Sequence, residues 1–207
     1  DTRRLEEGRS DVGNLYFGGC EAMVVFDDVF VPKERVFMKG EYHMAGPLIE
    51  LFAAHHRASY GGCKVGVGDV LIGAAAAIAE AHGTNKTSHV KDKIAEMIHL
   101  NETLHAGALA SAGKGYQTAS GAYAVDALMA NVCKLTVTRF PFEISRLAQD
   151  IAGGLLVTMP SLEDRNNPEV GKYIEKYRAG KGDVDSEKRM RILRLIENIT
   201  LGTGAVS

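Results

Sequence analysis

Four side chains able to do chemistry stand close together in the run from Ala54 to Lys64: His56, Tyr60, Cys63 and Lys64. On an α-helix the seven residues from His56 to Cys63 make nearly two turns. Both side chains then leave one face, about 10 Å apart along the axis. Tyr60 at i+4 and Lys64 at i+8 extend the same stripe. An amphipathic helix fills its inward stripe with Leu, Ile or Val; this one carries an imidazole, a phenol, a thiol and an amine. Imidazole and thiolate are metal ligands, and an imidazole or a phenol can also move protons. Gly61 and Gly62 thin the helix and admit something bulky against its backbone. The surrounding pattern predicts that this stripe lies on the buried side of a long helix.

The residues alone leave a second reading open. Free Cys often behaves as a small buried hydrophobe, and an inward His is often a hydrogen-bonded core residue. A His-x6-Cys pair matches no zinc signature, and two ligands do not complete a zinc or iron–sulfur centre, which takes about four. Cys20 and Cys133 are distant and have no CxxC partner. Any metal therefore needs ligands from outside these 207 residues. Glu96-x-x-His99 and Glu102-x-x-His105 imitate the ligand element of di-iron bundles, but such sites take one element from each of two helices. Here both fall on one helix and point about 120° apart, so a solvated helix face is the better reading.

These residues need elements to hold them. Residues 1–40 read as β: the run from Glu21 to Phe26, a turn at Asp27-Asp28, then Val29 to Pro32. Two strands do not fold alone, so they are expected to close a β domain that begins upstream. From residue 41 the period is helical. Pro47 suits a first helical turn and Gly83 a stop; Thr87 or Ser88 caps a second helix. A third is expected from near Gly121, restarted or kinked at Pro141 and ended by Gly153-Gly154. Asn167-Pro168 opens a short helix, and Asp185-Ser186 caps the last. Long helices joined by short loops give a mainly α chain, a helical bundle over residues 41–207.

Composition narrows the partners. A formal net charge of −2 with mixed signs and no basic block argues against nucleic acid. The apolar run from Val70 to Ala79 is too short to span a bilayer, and no signal peptide precedes it. Three Cys without a pairing pattern fit a reducing compartment, so a cytoplasmic chain without membrane contact is expected. A start at Asp1 and a stop just past an amphipathic run suggest a piece of a longer protein.

The stretch from Glu21 to Arg35 resembles the exit of the β domain in acyl-CoA dehydrogenase-like flavoproteins, in the branch of the 4-hydroxyphenylacetate 3-hydroxylases and 4-hydroxybutyryl-CoA dehydratases. Gln149-Asp150-Ile151-Ala152-Gly153-Gly154 is similar to the Gln-x-x-x-Gly-Gly stretch with which that superfamily touches FAD, often from a neighbouring subunit. Two Gly residues admit a pyrophosphate, and N–H groups there favour an anion. Alone, the pair is also an ordinary helix cap.

Within this branch His56-x6-Cys63 resembles the dehydratases, where such a pair supplies two ligands of a [4Fe–4S] cluster. The other two ligands are Cys residues of the amino-terminal domain, outside this sequence. The resemblance further implies substrate-contacting roles for Tyr60 and Lys64 and an acid/base role for Glu21. A second functional Glu is expected beyond Ser207 and is not assigned to Glu197. The implied protein is a homotetramer with an acyl-CoA dehydrogenase-like helical domain. It would dehydrate 4-hydroxybutyryl-CoA to crotonyl-CoA by a flavin and iron–sulfur radical route, with vinylacetyl-CoA Δ-isomerase activity. The alternatives are a flavin-dependent aromatic 3-hydroxylase of the same fold, which needs no cluster, and an inert helical piece without its partner domain.

Overall fold

The computed structural model describes residues 23–201. Helix α1 runs from Ala45 to His82 and α2 from Ser88 to Gly113. A two-stranded hairpin follows, β1 (Tyr116–Gln117) against β2 (Tyr123–Ala124), antiparallel with Tyr116 opposite Ala124. Then come α3 (Ala127–Val137), α4 (Phe140–Ala152), the short α5 (Leu162–Asn166) and α6 (Gly171–Arg178), and α7 (Ser186–Thr200). The mainly helical reading holds.

Helix α1 is the central element, packed against α2, α3, α4 and α7. Gly61 lies against Ala108, Val65 beneath Asn101 and Leu104, and Gly68 against Asn101, so α2 runs antiparallel to α1. A Cβ at Gly61 would collide with Ala108, so the close approach of the two helices requires the glycine. The main core gathers Leu71, Ile78, Met97, Leu147, Ile151 and Ile196 around the second half of α1. A smaller one, Val65, Leu104, Cys133 and Val137, seats α3 beside the first half. Burial raises the pKa of the Cys133 thiol, which is therefore a neutral packing group.

Gly83 ends α1, as expected, and Pro141 sits in the first turn of α4. The Asp185 side chain caps α7 through the Lys188 N–H at 2.7 Å. Other boundaries differ. The helix expected from Gly121 begins at Ala127: Gly121 (φ 84°) turns the hairpin, and Asp126 caps α3 by accepting from the Met129 N–H at 2.7 Å. The helix expected at Asn167-Pro168 starts at Gly171, because Asn167 makes a turn by accepting the Glu169 N–H at 2.8 Å. The runs expected as strands lack a ladder over residues 23–40, where the only regular element is a short 3-10 turn, Lys33–Arg35. A ladder needs a second chain segment, and the apolar side chains Met23, Phe26, Phe30 and Phe37 stand exposed.

By length and composition Tyr42–His82 is apolar enough to cross a membrane, since the helix extends well beyond the run from Val70 to Ala79. Its carboxyl half, with Leu71, Ala74, Ala75, Ile78, Ala79 and Ala81, is instead the buried centre of the bundle.

Candidate functional site

The stripe forms on α1 as spaced, but it faces outward. His56 and Cys63 are exposed, while Tyr60 and Lys64 are half-buried. This corrects the expectation of a buried stripe. At 100° per residue His56 and Cys63 lie roughly opposite the packed positions Ala54 and Val65. The inward face here is made of Ala54, Gly61, Val65 and Gly68, whereas Leu48, Leu51 and Phe52 are exposed.

The rings form a column along this flank. Phe52 stacks on His56 with centroids 5.8 Å apart and planes 14° apart, and His56 meets Tyr60 at 5.0 Å and 52°. Helix α3 flanks the column and runs parallel to α1: Arg57 donates to the Asn131 side chain at 2.5 Å, and one turn on, Lys134 Nζ lies 4.6 Å from the Tyr60 ring centroid. A cation over an aromatic face is attracted by the ring quadrupole, which orients the phenol. Lys134 was not found from sequence. It lies 74 residues from Tyr60, and a single Lys on a short helix gives no local signal. Lys64 also lines a small apolar cleft with Gly68, Leu71, Asn101 and Phe140.

Glu21 and Cys20 lie outside the described residues. Among the described residues no three His, Cys, Asp or Glu side chains gather as a metal site. His56 and Cys63 nevertheless fit half of one, since both are exposed on one face with an imidazole nitrogen and a thiolate sulfur to offer.

The Gln149–Gly154 stretch divides by side chain. Ile151 and Ala152 belong to the core, so they offer a ligand no side chain. Gln149 is half-buried and Asp150 exposed. Asp150 pairs with Lys93 of α2 at 2.5 Å, and that hydrogen bond holds its carboxyl below the usual range. The Gly153 N–H donates to the Gln149 carbonyl and closes the helix, so this donor is already used. Gly153 has φ 70°, where glycine is favoured, and a Cβ on Gly153 or Gly154 would meet nothing within 4 Å. The backbone is open to a ligand, which fits the close approach of a pyrophosphate.

The two groups of residues are not brought together within one chain. The turn lies against the carboxyl end of α1, where His82 contacts Ala152. His56 precedes His82 by 26 residues of one helix, about 39 Å along its axis.

Residues 45–207 match the family described as 4-hydroxyphenylacetate 3-hydroxylase C terminal. The chain is 55% identical, over its full length and 44% of the relative, to the 4-hydroxybutyryl-CoA dehydratase/vinylacetyl-CoA-Delta-isomerase of Clostridium aminobutyricum. It superimposes on an oxygen-tolerant archaeal 4-hydroxybutyryl-CoA dehydratase from N. maritimus with a TM-score of 0.92 and 59% identity, covering 97% of this chain and 40% of that one. The oxygenase component of 4-hydroxyphenylacetate 3-monooxygenase complexed with FAD gives a TM-score of 0.76 at 27% identity, over 87% of this chain and 39% of that one. The chain thus spans about two fifths of the length of the relatives it matches.

Proposed function

The chain belongs to the 4-hydroxyphenylacetate 3-hydroxylase C-terminal family, and from that membership we propose that the protein it forms part of dehydrates 4-hydroxybutyryl-CoA to crotonyl-CoA and isomerises vinylacetyl-CoA. The observation that carries this reading is the exposed column on α1, with His56 and Cys63 on one open face and Tyr60 and Lys64 beside them. The identity to a dehydratase over the whole chain supports it.

The chemistry explains why these residue types are needed. A side-chain base can remove a proton next to a thioester carbonyl, but not one from the β carbon, which is not acidic. A bound FAD would supply one-electron chemistry, and a [4Fe–4S] cluster a Lewis acid for the departing hydroxyl. His56 and Cys63 would hold two corners of the cluster. His56, as a neutral ligand, would also serve as a base when it is not bound to iron. Tyr60, aimed by Lys134, would donate a hydrogen bond to substrate oxygen, and Lys64 would stabilise negative charge developing there. Glu21 is assigned an acid/base role on resemblance to the dehydratases. Gln149, Asp150 and the backbone from Ile151 to Gly154 would contact the flavin.

The separation along α1, about 39 Å from His56 and about 27 Å from Lys64 to His82 beside the turn, favours a site completed by another copy of the chain, in line with a homotetramer. A cytoplasmic location fits the unpaired Cys usage. The reading is tested by assaying the full-length protein, purified without oxygen, with 4-hydroxybutyryl-CoA and separately with 4-hydroxyphenylacetate and reduced flavin. Crotonyl-CoA from the first is the expected result. Hydroxylation of the second with no dehydration would move the protein to the hydroxylases.

A further inference from the structure

A second polar node lies at the carboxyl end of α1, far from the His56 column. His82 is half-buried, and each of its ring nitrogens has a partner on a different element. Nδ1 faces the Arg189 guanidinium of α7, with nitrogens at 2.9 and 3.2 Å, and Nε2 lies 3.0 Å from the Ala152 carbonyl oxygen at the end of α4. A guanidinium only donates, so Nδ1 must accept; Nε2 then carries the proton and donates to Ala152. Arg189 is anchored further, donating to the Ala179 carbonyl at 2.9 Å and the Arg178 carbonyl at 3.4 Å. One neutral imidazole thus joins α1, α7 and the residue directly before Gly153-Gly154.

We propose that His82 is a positioning residue for flavin binding: its Nε2–H holds the Ala152 carbonyl and with it the Gly153-Gly154 turn, and protonation at Nδ1 releases that turn. This rests on the reading of Gln149–Gly154 as a flavin contact. A proton on Nδ1 would aim one donor at two others, beside a fixed positive charge, so the ring or the guanidinium must move. Arg189, tied to two backbone carbonyls, is the more firmly held.

The charged surroundings favour the neutral ring. Arg189 faces it directly, Arg178 lies near Arg189, and the Lys181 chain passes over Gly83. The acids of α4, Glu143 and Asp150, pair with Arg146 and Lys93, and Glu80 on α1 is exposed. Burial first, then the Arg189 charge, push the His82 pKa below its ordinary value against the pull of the Ala152 carbonyl. The sign follows. A His with a lowered folded pKa holds its contacts fully above about pH 6.5 and loses them as pH falls through the lowered value.

The test is FAD affinity of the flavin-stripped full-length protein, followed by flavin fluorescence from about pH 8 down to about pH 4.5, below the lowered His82 value. Wild type is expected to hold constant affinity above about pH 6.5 and, below the lowered His82 value, to lose up to about tenfold per pH unit, the slope of one linked proton. His82→Gln keeps a donor and an acceptor but does not titrate, and should stay within about threefold throughout. Arg189→Met removes the donors and the charge that a proton on Nδ1 would meet, so the protonated ring can keep its bond to Ala152 and the acid loss should disappear. A wild type with no acid loss, or a His82→Gln or Arg189→Met variant that repeats the wild-type loss, overturns the proposal. Failure of the flavin reading shows separately: Gln149→Ala, measured at pH 8 where His82 is neutral in any case, would then bind FAD as tightly as wild type.

Discussion

Tyr60 sits between two functional neighbours, the His56 imidazole on its own helix and the Lys134 ammonium across the groove. Tyr60→Phe keeps the ring and its contacts and removes only the hydroxyl. Turnover of the full-length enzyme is expected to fall while iron and flavin content stay normal; unchanged turnover would make Tyr60 a packing residue. Lys134→Met removes the cation over the ring. A cation–π contact is worth about 0.5–2 kcal/mol, so turnover should drop between about twofold and thirtyfold with iron intact. Glu21→Gln preserves shape and removes a titrating group, and the loss should reach about a hundredfold if Glu21 is an acid or base. Near-normal turnover with both cofactors present would rule out an acid/base role for Glu21. The His56–Tyr60 neighbourhood was legible in the sequence because i and i+4 meet on any helix. Lys134 was not, because only tertiary packing brings α3 alongside.

At the scale of the element, α1 packs largely through small residues, with Val65, Leu71 and Ile78 among Ala and Gly. Gly61→Ala would drive a methyl group into Ala108. Overpacking of this kind costs about 1–3 kcal/mol, read as a lowered melting temperature of the full-length protein. Gly73 meets nothing within 4 Å, and Gly73→Ala should instead stabilise by about 0.5–1 kcal/mol through helix propensity. A destabilised Gly73→Ala variant would mean that another part of the assembly covers that flank. Helix ends were readable where one residue decides them, as at Gly83, Pro141 and Asp185. The direction of the stripe was misread because the first half of α1 packs mainly through small residues, Ala54, Gly61 and Gly68, while the larger Leu48, Leu51 and Phe52 are exposed. The hairpin at Gly121 was missed because each of its strands is only two residues long, too short for an alternation pattern.

At the scale of the molecule, large apolar side chains are left uncovered from the amino-terminal segment onto α1. Met23, Phe30 and Phe37 are 89%, 87% and 94% exposed, and Ile49 and Phe52 continue the surface. A patch of this kind marks an interface, and it adjoins the helix that bears His56 and Cys63. Both the β-like runs and the ligand pair read as half of something larger, and neither can be completed by local sequence. That the α1 column holds half of an iron–sulfur cluster is the proposal on which the function rests. It is tested most directly by iron and sulfide analysis of the full-length protein, purified without oxygen, beside its Cys63→Ala and His56→Ala variants. About four irons per chain are expected in wild type, and a marked loss in each variant with the helical content unchanged. An iron-free wild type, or variants that keep four irons, would contradict the claim.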